Sequence, residues 1–453
     1  MKIKLTTMPV YHDLNKSMDF ISQRIAPNSA IYLLGSILRE QGFNIEIIDP
    51  FFLQNITNNT TFEDNLISYL GDADVICLSA NTLNWACTLY AIEVIRKKIG
   101  DSVKIILGGI HPTYFYESII AKVNVDYILR GEGEVTLVEL IRAIEQNAGY
   151  EKIEGLVSKE YGITNNSRIK PIINEEIYEK LPIPAYDLMP DQVYHTMLIE
   201  TSRGCRFNCA FCSVPHRNNW RAFDKDVVLE RGKKIIRNYS DKFIGNQVLI
   251  SDDCLTADFK RAQYIIDGLE RENDKIGYVI ETRATDWLAK EVDESIGPFL
   301  SGQMHRILFG IECGYNEGLK RISKGLSIEM LEKVVNLLDK KGILLKSYFS
   351  FIIGFPWEDI DKCIQTIDYA ASLVKRSNGL GVVNLNWLQW YPSRLWENRN
   401  KFGMELNDTM FDLIDYNDVF FQELHPNLSR SDVAYINSYI LEYENKGIYL
   451  RNA

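Results

Sequence analysis

Short apolar runs alternate with amphipathic helical patterns along most of this chain, and that alternation restricts the possible folds more than any single motif. In the first third the order is a helix pattern "NSAIYLLGSILREQG", apolar runs "FNIEIID" and "DADVICLSA", a helix "CTLYAIEVIRKKIG", runs "VKIILGG" and "VDYILRG", and a helix "EVTLVELIRAIEQ". Strands that are apolar on both faces and separated by helices belong in a parallel sheet covered on both sides. Residues 1–146 are therefore expected to form a Rossmann-like, doubly wound α/β domain.

Residues 147–195 are patterned more weakly and end in "KLPIPAYDLMPDQ", whose three prolines mark a linker. From residue 196 a second series begins, with apolar runs "HTMLIET", "NQVLISD", "GYVIET", "HRILFGIE", "SYFSFIIG" and "VVNLNWLQW". Helix patterns such as "DVVLERGKKIIRNYS", "FKRAQYIIDGLERE" and "SIEMLEKVVNLLDKKG" lie between them. Six β-α units without internal repetition point to a partial (β/α)6 barrel over residues 196–392, a fold whose chemistry gathers at the carboxyl ends of its strands. Residues 393–453 are expected to be a small helical cap. A chain of 453 residues with 46% hydrophobic content can bury cores of this number and size.

The formal charge of −11 gives no electrostatic reason to expect nucleic acid as partner. No apolar run approaches the roughly 20 residues of a membrane span, and the start "MKIKLTTMPVYHD" lacks the apolar core of a signal peptide. A cytoplasmic location is the expectation. Eight cysteines are too sparse for a disulfide framework, and in a reducing compartment a tight cluster of them reads as a metal site.

Three of the eight, Cys205, Cys209 and Cys212, fall in "ETSRGCRFNCAFC" directly after the first of the six barrel strands. Zinc would want four ligands, and no second CxxC pair or CxxH partner lies nearby. A cubane of four irons held by three thiolates leaves one iron free for a small molecule. That vacancy is the functional content of the motif.

The CxxxCxxC spacing with Phe211 before the last cysteine resembles the signature of the radical S-adenosylmethionine enzymes. The resemblance implies a [4Fe–4S] cluster whose open iron binds S-adenosylmethionine and generates a 5′-deoxyadenosyl radical. It also implies an external electron donor such as flavodoxin or ferredoxin. "SDDC", with Asp252 and Asp253, resembles the segment that meets the methionine amino group. Glu281 and Arg283 of "ETRAT" stand where the family carries a residue for the methionine carboxylate. Glu312 of "GIECG" resembles the ribose-facing acid, and Gly354 of "IIGFP" the adenine-packing strand. Each has a plainer reading as well: helix N-caps for the aspartates, a local ion pair for Glu281 and Arg283, turns for the glycines.

"IILGGIHPTYFYE" and "VDYILRGEGEVTLVELI" resemble the cobalamin-binding domain found ahead of one large subgroup of these enzymes. On that resemblance Gly108, Gly109, His111, Gly131, Glu132 and Gly133 flank the corrin. The DxHxxG pattern that supplies a histidine to cobalt is absent, so His111 is not assigned as a ligand to the metal. Asn84 and Trp85, in the loop after the third apolar run, are the candidates for the lower face, with core packing the plainer reading for Trp85. Cys254 and Cys313 follow the second and fourth barrel strands and are candidates for handling a substrate radical, or else small buried hydrophobes. Tyr391, with Trp387 and Trp390, closes the sixth strand and is a further catalytic candidate. His216 and Trp220 follow the cluster loop, in pocket or on surface.

The resemblance implies methylation of an unactivated carbon in a small metabolite or peptide. The deoxyadenosyl radical removes a hydrogen, the carbon radical takes methyl from methylcobalamin, and a second S-adenosylmethionine restores that methyl. Ring formation, oxidation or rearrangement without methyl transfer is the alternative enzyme. An iron–sulfur sensor or electron carrier is the alternative of another class.

Overall fold

The computed structural model describes residues 1–10, 25–54, 60–160, 162–163, 173–289, 292–377 and 382–451. Residues 161 and 164–172 of the expected linker lie outside these. Two compact units result. The first comprises Met1–Met197, Lys234–Gly245 and Asn407–Ile414; the second Leu198–Lys233, Asn246–Leu406 and Asp415–Ala453.

The first unit is built on β1 (Lys2–Thr7), β2 (Asn44–Ile48), β3 (Val75–Ser79), β4 (Lys104–Gly108), β5 (Tyr127–Leu129), β6 (Leu156–Ser158) and β7 (Gly162–Ile163), in the order β2-β1-β3-β4-β5-β6-β7. The pairings from β2 through β5 are parallel. Those of β6 with β5 and with β7 are antiparallel. The order reverses between β1 and β3, and that switch point is where an open α/β sheet presents a crevice. Ile3, Leu5, Val75, Ile76, Ile105, Leu107 and Ile128 fill the core.

Periodicity did not reveal β1, because its "KIKLTT" places a lysine at the centre of a buried strand. Lys4 is buried, and its ammonium is satisfied by the Tyr69 carbonyl at 2.5 Å and Glu46 at 3.0 Å. A buried charge survives only with such partners. The stretch expected as a linker supplies β6 and β7, which are too short to announce themselves by alternation.

In the second unit β8 (Thr196–Ile199) is followed by a small antiparallel hairpin of β9 (Ser202–Arg203) and β10 (Arg221–Ala222). Then come β11 (Gln247–Ile250), β12 (Gly277–Thr282), β13 (Met304–Glu312), β14 (Ser347–Ile353) and β15 (Val383–Trp387). The six-stranded sheet runs β8-β11-β12-β13-β14-β15, with β11 through β15 paired in parallel. Connecting helices start on side-chain caps: Asp258 for Phe259–Glu270, Ser327 for Ile328–Lys340 and Asp359 for Ile360–Arg376.

Phe309 and Phe349 stack at 5.3 Å and continue into Trp287, Phe259 and Phe299, an aromatic layer beside the helices. By the alternation of a strand, Leu308, Gly310 and Glu312 face the other way, into the barrel. The C-terminal region is mostly helical, with Arg394–Glu397, Tyr416–Val419 and Arg430–Glu444, and the Leu385 N–H donates to the Leu450 carbonyl at 2.8 Å. Among the described residues no helix is long and apolar enough to cross a membrane.

Candidate active site

The cysteine loop is a closed structure. The hairpin of β9 and β10 brings its ends together. Inside it, the Cys205 N–H donates to the His216 carbonyl at 3.3 Å and the Asn219 N–H to the Cys205 carbonyl at 3.0 Å. Gly204 has φ +75°, and a Cβ there would strike the Asn219 carbonyl, so glycine is required before Cys205. The Ala210 N–H donates to Ile322 at 2.9 Å, and Arg394 donates to the Asn208 carbonyl at 2.6 Å. Trp220 donates to Ser202 at 3.0 Å beneath the Arg206 guanidinium, which makes it a strut of the loop.

Each of the three sulfurs faces a donor. Arg283 Nη1 reaches Cys209 Sγ at 3.2 Å, and the Val214 N–H reaches Cys212 Sγ at 3.5 Å. The Cys205 thiol is held below the usual range by a hydrogen bond from Cys254, aided by the Phe207 backbone and the charges of Arg283 and Lys324. At Cys205 these partners favour thiolate, the metal-binding form. Burial works the other way at Cys212, whose thiol is pushed up to about 11. No three His, Cys, Asp or Glu side chains among the described residues gather to hold a single metal ion.

Around this loop stand acids of two kinds. Asp253 and Glu281 follow or close the strands β11 and β12 at their carboxyl ends and are open to solvent, with protein crowded around them. Desolvation, with the Cys205 and Asp252 charges added, pushes Asp253 up to about 7; burial and Glu312 push Glu281 up. Perturbed acids in a cleft are the groups that would meet a cationic ligand such as an amino group. Glu312 is buried at φ +78°, on a bulge of β13 against β14, and accepts from Lys324 Nζ at 2.9 Å. Gly310 makes room for this pair: a Cβ there would lie 2.5 Å from Glu312 Oε1 and 3.0 Å from Lys324 Nζ. Sequence reasoning missed Lys324. It also missed Glu358, a fully buried acid that accepts from the N–H groups of Gly354 at 2.7 Å and Phe355 at 3.0 Å and from Tyr315 at 2.8 Å. The usable signal was the run "GFPWED", an acid four residues after a glycine turn. Gly354 itself, at φ +82°, is packed by Phe421 and Trp387. Phe211 packs edge-on to Phe355 at 6.2 Å.

Three expectations in this unit are corrected. Asp252 does not face a ligand: its two oxygens accept from the Thr201 N–H at 2.6 Å, the Ser202 N–H at 3.0 Å, the Ser202 hydroxyl at 2.6 Å and the Thr201 hydroxyl, which fills its acceptor sites. Cys313 lies one residue beyond the end of β13. It is fully buried beside Gly318, and burial raises its thiol well above the usual range. Cys254 is buried and turned to Cys205 rather than to open space. Tyr391 remains near the sixth strand end, hydrogen-bonded to Gln389 and pushed up to about 12 by desolvation.

At the carboxyl edge of the first unit the structure again redistributes roles. Asn84 is buried, donates to Thr7 Oγ1 and the Met8 carbonyl at 2.9 Å each, and accepts from the Asn81 N–H at 2.8 Å. It clamps the loops after β1 and β3. Trp85 is buried, donates to Asp412 at 2.8 Å and stacks on His111 at 4.5 Å. His111 sits among Trp85, Phe115 and Phe411, and burial drops its pKa to about 3, so it is a neutral core residue. Gly109, at φ +100°, lets the β4 end pass the Ala80 backbone, so its requirement comes from the chain itself. Gly108 and Gly133 differ: a Cβ at either would meet nothing closer than 3.7 Å. Gly131, at φ +83°, donates to Thr113 at 2.9 Å, and Glu132 accepts from the Ile173 N–H at 2.7 Å. With Asn84 and Trp85 turned inward, Leu83, 41% exposed, is the apolar side chain this loop presents outward. A switch point, an outward leucine and roomy glycines fit a flat, bulky ligand at this edge.

A B12 binding domain model matches residues 22–141, and a Radical SAM superfamily model matches residues 199–370. An uncharacterised methyltransferase of Pyrococcus horikoshii is 30% identical over 390 residues, 82% of this chain and 78% of that protein. The anaerobic magnesium-protoporphyrin IX monomethyl ester cyclase of Rubrivivax gelatinosus is 24% identical over 424 residues, 86% of this chain and 68% of the relative. Among solved structures, the radical S-adenosylmethionine methyltransferase TsrM from Kitasatospora setae, with cobalamin and a [4Fe–4S] cluster bound, aligns over 100% of this chain and 93% of its own with a TM-score of 0.68 at 14% identity, a likeness of fold. The protein is a radical S-adenosylmethionine enzyme. More narrowly, the chain belongs to the family in which that barrel is preceded by a cobalamin-binding domain.

Proposed function

We propose that this enzyme transfers a methyl group to an unactivated carbon of a small molecule, with Cys205, Cys209 and Cys212 holding the cluster. The observation that supports it is the donor set on those three sulfurs, one from each of three separate segments, with the perturbed acids Asp253 and Glu281 at the neighbouring strand ends. When bound, the cluster and S-adenosylmethionine supply a hydrogen-abstracting radical, and cobalamin supplies the methyl group. Within that frame Asp253 takes the methionine amino group, and the buried Glu312–Lys324 pair offers a fixed polar wall for the ribose and carboxylate. The turn at Gly354, held by Glu358, gives the adenine a flat floor. Leu83 would pack against the bound corrin, the sequence offering no DxHxxG histidine to meet the cobalt. The first electron comes from an external low-potential donor, and an oxygen-labile cluster suits a reducing compartment.

Methylation and the ring-forming alternative, which the likeness to a cyclase keeps in view, differ in what they do with S-adenosylmethionine. Anaerobically reconstituted protein with reduced cobalamin and trideuteromethyl-labelled S-adenosylmethionine should yield S-adenosylhomocysteine and labelled methylcobalamin without any substrate. Addition of substrate should release 5′-deoxyadenosine and carry the intact label onto carbon. Deoxyadenosine without homocysteine product or label would remove methyl transfer and leave cyclisation or rearrangement.

A further inference from the structure

Arg283 does something the sequence does not assign to it. Its Nη1 donates to Cys209 Sγ at 3.2 Å, its guanidinium carbon lies 3.5 Å from the centroid of the Phe207 ring, and Nη2 is anchored on the Lys324 carbonyl. The side chain is 8% exposed, and its Nε is buried without a hydrogen-bond partner. A guanidinium is not held this way by chance: one hydrogen bond to sulfur, one ring face and one carbonyl fix a full positive charge against the cysteine loop. The donors at the other two sulfurs, a backbone N–H and a thiol, are neutral.

We propose that Arg283 is a positioning residue that sets the reduction potential of the cluster by a charge-assisted hydrogen bond to the Cys209 sulfur. The inference rests on the reading that the three cysteines hold the cluster. Reduction adds one electron, supplied by a low-potential reductant such as a viologen radical, and places one more negative charge on the iron–sulfur core. A fixed positive charge and a hydrogen bond at a ligand sulfur stabilise that reduced form more than the oxidised one, so the potential rises. The consequence is a cluster that a weaker cellular donor can reduce.

The test is a viologen-mediated redox titration, read by electron paramagnetic resonance, of reconstituted full-length protein and the variants Arg283→Lys, Arg283→Gln and Arg283→Met. It is done without S-adenosylmethionine, so that a contact to its carboxylate contributes nothing. At the poise where the wild-type cluster is half reduced, Arg283→Met should show about a tenfold lower reduced-to-oxidised ratio, a downward shift of 59 mV for one electron. Arg283→Gln should fall nearly as far, and Arg283→Lys, which keeps the charge, should fall least. Four irons per chain with an unmoved potential in the Gln and Met variants would overturn the proposal. Loss of iron from all three variants would also overturn it, making Arg283 a strut of the fold. A wild-type protein that takes up no cluster would instead sink the reading of the cysteines themselves.

Discussion

Two buried carboxyl groups in the barrel unit do work that is separable from ligand binding. Asp252 joins the end of β11 to Thr201 and Ser202, the residues that lead into the cysteine loop, and Arg261 reinforces the same spot through the Thr201 carbonyl at 2.6 Å. Asp252→Ala leaves four buried donors without their acceptor. We expect a loss of at least about 2 kcal/mol in denaturant unfolding, since each unmet buried group costs about 1–3 kcal/mol. Iron retention should fall with it, while Asp253→Ala should keep the iron and lose S-adenosylmethionine binding. Glu358 makes a different prediction, in pH. Burial raises it from 4.5 to about 7 in the folded protein, so the fold favours its protonated form. Its contribution is fully present below pH 4.5 and is lost as pH rises through 7. Between pH 5 and 8 the wild type should therefore lose stability relative to Glu358→Gln, by roughly 3 kcal/mol at one pKa unit per 1.36 kcal/mol. Parallel pH profiles of the two unfolding midpoints would contradict that assignment.

At the level of elements, β13 shows why part of the site was readable in advance and part was not. Its apolar run, its terminal acid and the glycine two residues earlier are local features of the sequence. The bulge that gives Glu312 a left-handed backbone, and the arrival of Lys324 from beyond the next helix, depend on packing that no local pattern encodes. The same distinction governs Asn84 and His111. The resemblance to a cobalamin-binding domain set them at a cofactor face, whereas the structure shows a long-range clamp to Thr7 and an aromatic layer including Phe411. The six barrel strands were legible because each lies in an apolar run set off by helix patterns; β1 was not, because Lys4 interrupts it. From β13 a third prediction follows. Gly310→Ala pushes a methyl against the Glu312–Lys324 pair, an overpacking that costs about 1–3 kcal/mol. Iron content should stay at the wild-type level, while the dissociation constant for S-adenosylmethionine, measured by anaerobic calorimetry, should rise about tenfold or more. Unchanged affinity would take the pair out of the ligand's reach.

The molecule as a whole cannot be cut where its sequence pattern changes. The first unit is closed by segments far along the chain. β6 pairs with β5 through Ile128 and Val157, Tyr194 donates to Asp49 at 2.8 Å, the Ile244 N–H donates to Tyr194 at 2.8 Å, and Trp85 donates to Asp412. Deleting residues 1–146 would strip the sheet from 147–197, 234–245 and 407–414 and expose Tyr186, Phe243 and Phe411, all buried in the intact chain. Newly exposed apolar surface of that kind drives association. We therefore expect residues 147–453 to elute as aggregate with little iron, so that loss of corrinoid binding in this fragment says nothing about where the corrinoid sits. A point change separates the two. Leu83 is already exposed, so Leu83→Glu should leave the unfolding midpoint unchanged within about 0.5 kcal/mol, as surface substitutions do. A charge against the corrin's lower face should nevertheless weaken retention of hydroxocobalamin through gel filtration by about tenfold, or about 1.4 kcal/mol. A soluble, iron-loaded fragment 147–453 would show that the barrel folds without the first unit's sheet. Full corrinoid retention by Leu83→Glu would move the lower face of the cobalt away from the loop after β3.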